Sequence, residues 1–195
     1  MPSAHKLTIP PYPPLELGLV PTFNTWAQIT FLHMYLLTTR IRCFPAEHAS
    51  TWHQHLLDHF FFEAEERMTV LHQLHARGVR NRYLKDLFVQ WRGAMASYDE
   101  GLMKGDAVLA AAVWRNVFKA DEEVDLKGVG MVVSFMRRVL KTLDSVEDEV
   151  VASGRVRFGD PSSEAGMVAV RSKGMDVPVE QEEEESRPAD GKEKV

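Results

Sequence analysis

Apolar residues recur along most of this chain with a period near 3.6, which predicts helices rather than strands. The first predicted helix covers 24–42; Thr22 or Asn24 is placed to cap it, Thr25 and Gln28 have capping-box spacing, and Pro45 follows its end. The second covers 51–76, where Leu57, Phe60, Phe61, Ala64, Met68 and Leu71 form one stripe and Gly78 follows as a stop signal. A third covers 81–103 with the stripe Leu84, Leu87, Phe88, Trp91, Met95 and Tyr98; Gly101 and Gly105 are expected to loosen its end. Asp106 stands where an N-cap belongs, ahead of a short fourth helix carrying Val108 to Phe118. The fifth covers 125–153 and turns Val129, Val132, Val133, Met136, Leu140 and Leu143 inward. Gly128 and Gly130 inside it each cost about 1 kcal/mol against alanine, so a close helix crossing is expected there.

These elements predict an all-α fold: a single helical, bundle-like domain of about five main helices. Its expected limits are 22–153. Residues 1–21 contain Pro10, Pro11, Pro13, Pro14 and Pro21, which predict an extended lead-in. Past Gly154 the period dissolves, and five glutamates fall between Glu180 and Glu185. Such a composition buries too little apolar surface to offset the entropy of ordering, so 154–195 is expected to be a disordered acidic tail.

Charge and composition narrow the function classes. The 195 residues carry a formal net charge of −5. Residues 1–153 account for −2 of it, from 16 Lys+Arg and 18 Asp+Glu. A nearly neutral body lacks the field of a dedicated nucleic-acid binder. One local run departs from that: Arg77, Arg80, Arg82, Lys85 and Arg92 face only Asp86, across the expected bend between the second and third helices. Such a run suits phosphates of RNA or a ribosome, but local basic patches are common on neutral domains, where they form a solvated loop with charges at helix ends. Residues 23–39 are free of charge, but Asn24, Gln28, His33 and four threonines make the stretch a buried helix rather than a membrane span. Residues 1–14 have neither a secretory signal's apolar core nor the Arg-rich amphipathic helix of a mitochondrial presequence. Either the protein stays where it is made, or the sequence has lost its start.

No constellation predicts catalysis. Cys43 is the only cysteine, so an intramolecular disulfide is impossible; nothing marks a base for it, although Arg40 and Arg42 lie close in sequence. His55 and His59 have the i, i+4 spacing that can present two imidazoles to one metal, and His48, His53, His72 and His75 crowd around them. No acid completes a recognised ligand set, so no metal site is assigned and no cofactor is expected. Asp99 and Glu100 point about 100° apart on a helix, which disfavours paired acid–base work. A salt bridge from one of them to Arg115 is expected instead.

Two segments carry a resemblance. Phe23-Asn24-Thr25-Trp26 leads to Leu32-His33 and Arg40. Asp99-Glu100-Gly101-Leu102 is followed by Asp106, Leu109-Ala110, Trp114-Arg115-Asn116 and Phe118. In order and spacing these resemble the paired motifs of the ubiquinol–cytochrome c chaperone domain, nearest its fungal members, over about 20–140. The resemblance implies a non-enzymatic assembly chaperone for mitochondrial respiratory complex III. It implies a place on the matrix side of the inner membrane, peripheral and without a transmembrane helix. The implied partners are a small assembly factor in a heterodimer, newly made cytochrome b, and the mitochondrial ribosome, where cytochrome b translation is supported. Asn24, Trp26, His33, Arg40, Asp99, Glu100, Gly101, Asp106, Trp114, Arg115 and Asn116 become the candidate partner-binding residues, and the Trp26/His33 and Trp114-Arg115-Asn116 segments are expected to pack near one another. Arg77, Arg80, Arg82 and Lys85 become the candidate ribosome contacts. Two other readings fit the same residues: a generic helical adaptor outside mitochondria, and a metal-dependent helical enzyme built on the histidines.

Overall fold

The structure is a computed structural model and describes residues 17–170. The prolines at 10–14 and the glutamates at 180–185 lie outside the described residues. Five main helices form, as the period predicts: α1 (Phe23–Ile41), α2 (Ala46–Val70), α3 (Arg77–Lys104), α4 (Asp106–Asn116) and α5 (Leu126–Asp144). Three short pieces follow: α6 (Asp148–Ala152), a 3-10 turn (Pro161–Glu164) and α7 (Ala165–Val168). No strand occurs among the described residues.

The first helix is the axis of the bundle. It packs against α2, α3 and α5, and fourteen of its 19 residues are buried. The absence of charge over residues 23–39 is what permits that, because an unpaired charge surrounded by helices would cost several kcal/mol. Phe31 meets Trp91 at 5.6 Å between ring centres, Tyr35 meets Tyr98 at 5.1 Å, and His33 meets Phe135 at 5.9 Å. With Arg40 reaching Leu143, these pairings show α1, α3 and α5 running in the same direction. Each large apolar side chain buried in this way contributes about 1.5–3 kcal/mol.

Several starts and stops differ from the sequence expectation. Thr22 does cap α1, its hydroxyl accepting from the Thr25 amide at 3.1 Å. Gln28 does not complete a capping box; its amide donates across to Gln90 of α3 at 2.9 Å. Gly78 does not stop α2. That helix ends at Val70, the chain turns at Gln73 with φ 51°, and Gly78 lies within α3. Asp106 is the first residue of α4 rather than its cap, and its carboxylate is taken by Arg137 of α5 at 2.8 Å.

Gly101 and Gly105 do the opposite of loosening. Gly105 makes the turn between α3 and α4 in one residue, at φ 110°, a backbone that side chains disfavour. Gly101 is buried under Leu109, where a Cβ would stand 2.6 Å from the Leu109 Cα. The two glycines thus let α4 fold back tightly on α3.

The end of the chain also departs from expectation. Helix α5 stops at Asp144, and Arg40 receives its end, donating to the carbonyls of Leu143 at 2.9 Å and Val146 at 2.7 Å. Residues 154–170 pack on the bundle instead of beginning a disordered tail. Phe158 meets His33 edge-on at 4.8 Å, and Val168 lies over Gly130, where a Cβ would be 2.9 Å from Val168 Cγ1. So the close approach expected at Gly130 is made by the returning C-terminal segment. Glu164 is buried, accepts from Ser134 Oγ at 2.6 Å, and is paired with Arg138.

Candidate partner-binding surface

The two motif segments meet at one carboxylate. Asp99, on the last turns of α3, accepts from Tyr35 Oη at 2.9 Å. It also receives both terminal nitrogens of Arg42, at 2.7 and 3.0 Å, in a two-pronged pair. Burial acts to raise the Asp99 pKa, but the hydrogen bonds from Arg42 and Tyr35 outweigh it and hold the carboxyl below its ordinary range. Neither Tyr35 nor Arg42 stood among the sequence candidates. Their spacing of seven, which puts both on one side of α1, was the available signal.

Arg115 is not the partner of Asp99 or Glu100. It is exposed and makes no ion pair among the described residues, while Glu100 takes Lys104 at 2.6 Å, one turn along its own helix. The Trp26/His33 and Trp114–Asn116 segments enter one apolar core, with Trp26 part of it and Trp114 packed against it. Trp26 stacks on Phe60 of α2 at 5.6 Å, and the Arg67 guanidinium lies 4.4 Å from its ring centre. His33 is deep between Phe135 and Phe158, its Nδ1 donating to the Ile29 carbonyl at 2.8 Å. Burial holds its pKa below the ordinary value, despite that hydrogen bond.

The Trp114-Arg115-Asn116 run serves the end of α4. Trp114 Nε1 donates to the Asp121 carbonyl at 2.7 Å. This fastens a turn in which Lys119 and Ala120 both hold positive φ. Asn116 donates to Ser97 of α3 at 3.0 Å and to the Ala112 carbonyl at 2.9 Å. Most motif residues are thus consumed in joining helices; only Asn24 and Arg115 are exposed without an ion pair among the described residues.

Exposed apolar side chains gather elsewhere. Only three of the 25 residues of α2 are buried, Phe60, Ala64 and Met68. Among the described residues, nine of the thirteen exposed large apolar side chains fall on α2, α3 and the turn joining them, among them Phe62 at 73%, Val70 at 67%, Leu71 at 63% and Val89 at 68% exposure. Apolar exposure concentrated on one hairpin is the usual mark of a contact surface.

The basic run also resolves by side. Because α3 begins at Arg77, the run lies on a helix and not across a bend. Arg80 turns inward, donating to Glu65 at 3.2 Å and to the His75 carbonyl at 2.7 Å, so it closes the α2–α3 turn and is removed from the ribosome candidates. Arg77, Arg82, Lys85 and Arg92 are exposed. The histidines do not converge: His55 and His59 are exposed, and among the described residues no group of three or more His, Cys, Asp or Glu is placed to hold a metal ion. No described helix is long and apolar enough to cross a membrane.

The profile of the ubiquinol-cytochrome C chaperone family matches residues 15–158. The chain belongs to that family. Protein CBP3, mitochondrial, of Saccharomyces cerevisiae is 35% identical over 146 residues, covering 75% of this chain and 44% of its own. Ubiquinol-cytochrome c reductase complex assembly factor 1 of Mus musculus is 30% identical over 150 residues, covering 74% and 48%. The Homo sapiens protein of the same name is 29% identical over 150 residues, covering 74% and 47%. The chain spans about half the length of these curated relatives. No solved structure matches. The matched stretch contains all five main helices of this chain, and it ends at Phe158, the residue that meets His33 edge-on.

Proposed function

We propose that this protein is a non-enzymatic assembly chaperone for mitochondrial respiratory complex III. The observation that carries the reading is the family match across the whole five-helix unit. The names of its relatives, a mitochondrial protein and complex assembly factors, support it. In this reading the protein works on the matrix side of the inner membrane and holds newly made cytochrome b. It acts as a heterodimer with a small assembly factor, near the mitochondrial ribosome, and supports cytochrome b translation. The exposed apolar residues of α2 and α3 offer a helical partner its anchoring side chains. Arg77, Arg82 and Lys85 offer contacts to ribosomal phosphates.

Deleting the gene and pulse-labelling mitochondrial translation products tests the reading. Loss of assembled complex III with reduced cytochrome b is the expected result; normal levels of both would refute it. At the surface itself, Phe62→Glu with Val70→Glu should remove co-purifying partners while leaving the melting temperature unchanged. Undiminished co-purification would place the partner on another face.

A further inference from the structure

The returning C-terminal segment builds a cleft against the end of α5. Burial alternates along Arg155-Val156-Arg157-Phe158: the two arginines are exposed, and Val156 and Phe158 are half-buried. Val156 and Phe158, with Val139 and Leu143 of α5 and Val150 of α6, give the cleft an apolar floor. Its volume is about 120 Å³, and it is partly open to solvent. Arg138, Arg155 and Arg157 also line it, and no acid among the described residues does.

The three arginines differ in what they are free to do. Arg138 is committed: its Nε is taken by Glu164, and its terminal nitrogens stand over Gly159, where a Cβ would lie 3.5 Å from Nη2. Arg155 uses its Nε on Ser153 Oγ, at 2.8 Å. Neither Arg155 nor Arg157 makes an ion pair among the described residues. Arg77 and Arg115 are exposed without one as well. What sets Arg155 and Arg157 apart is the apolar hollow that they line together. The carbonyls ending α5 would repel an anion, but Arg40 closes two of them, donating to Leu143 and Val146.

We infer that this cleft binds an aliphatic carboxylate, with its hydrocarbon on the apolar floor and its carboxylate on the terminal nitrogens of Arg155 and Arg157. The volume sets the size of the ligand. It equals about four water molecules of the liquid, enough for a branched group of roughly four carbon atoms and too little for a fatty acyl chain. The charge sets its polar end. Guanidinium forks match carboxylate oxygens in pairs, and the apolar wall beneath strengthens such hydrogen bonds by lowering the local dielectric. Inorganic phosphate would meet the arginines but leave the floor wet. The same chemistry has two sources: a free branched-chain acid, and a polypeptide that ends in leucine. This inference stands apart from the chaperone reading, since it concerns the end of α5 and not the α2–α3 hairpin.

Titrating the full-length chain with 4-methylpentanoate at low salt, while following the NMR methyl signals of Val139, Val150 and Val156, tests it. Those signals should shift together with a dissociation constant on the order of 0.1–1 mM. In the Arg155→Gln/Arg157→Gln variant, whose exposed changes leave the circular dichroism unaltered, binding should weaken about tenfold. The amide 4-methylpentanamide keeps the hydrocarbon without the charge, and the unchanged chain should bind it as weakly as the variant binds the acid. No shift at about 10 mM acid, or shifts confined to other valines, would overturn the inference. So would acid and amide bound alike, phosphate bound as tightly as the acid, or a double variant with undiminished affinity. Two further arms separate the sources, and either result supports the site. A leucine-ended peptide that outbinds the free acid, and loses its hold when its C-terminus is amidated, assigns the cleft to chain ends. A free acid that outbinds the peptide assigns it to a small metabolite.

Discussion

Asp99 is where single residues matter most. Its carboxylate joins α3 to Tyr35 of α1 and to Arg42, the residue just past that helix, and about two-fifths of its side chain is still exposed. Screening discounts such a pair, so Asp99→Ala should cost about 1–2 kcal/mol, mainly through the lost hydrogen bonds. Arg115→Ala, on an exposed residue with no ion pair among the described residues, should stay within about 0.5 kcal/mol. Urea denaturation of both variants checks the contrast; a larger loss at Arg115 would restore the pairing expected from sequence. His33 supplies a pH dependence. Burial depresses its pKa, so the unfolded chain takes up the proton more readily than the folded one. The stabilisation is fully present above about pH 6.5 and is lost as pH falls below it. His53 is depressed in the same direction, by burial and then by Arg42, and adds to the effect. The melting temperature should therefore drop between pH 7.5 and pH 5.5, and His33→Gln should flatten that slope. Equal slopes in the two proteins would contradict the assignment.

At the scale of elements, the sequence made helix number and interior faces legible but not the joints. The stripes of α2 and α3 predicted Phe60, Ala64, Met68, Leu87, Trp91 and Tyr98 as buried, and they are. Leu71 and Phe88 belong to the same stripes yet are exposed, because α2 is peripheral and little packs over the far side of the hairpin. Periodicity reports a face, not whether another element arrives to cover it. The candidate motifs were legible as residues that matter. Their work as helix-to-helix ties was not, since the partner of Asp99 lies about sixty positions away. The glycines were legible as breaks and misread as looseness. Gly101→Ala should cost about 1–3 kcal/mol or more, because the backbone of Leu109 blocks the added methyl. Gly130→Ala should cost less, since the obstacle there is a Val168 side chain that can turn away. Equal losses in chemical denaturation would argue against the tight α3–α4 turn.

For the molecule as a whole, residues 154–170 form a strap that closes on α1 and α5. Its anchor is Glu164, whose pKa is held low by the hydrogen bond from Ser134 and then by Arg138. A depressed carboxyl stabilises above its unfolded pKa and ceases to do so as pH falls through the folded one, so this anchor releases only in acid. Glu164→Ala should free the strap at neutral pH, exposing 154–170 to limited proteolysis while the five main helices stay intact by circular dichroism. Unchanged protection would show that Phe158 and Val168 hold the strap by themselves. Sequence concealed this strap because its apolar contacts are few and set among glycines and polar residues.

The burial of α1 on nearly every side has a consequence for synthesis. Its neighbours are encoded after it, and the last of them, α5, is about one hundred residues downstream, where Arg40 finds Leu143. A ribosome therefore releases the most water-averse helix first and the helix that completes its enclosure last. Until then α2 and α3 can cover α1 only in part, and its α5-facing side stays open. Until α5 emerges, that side of α1 needs other cover from water.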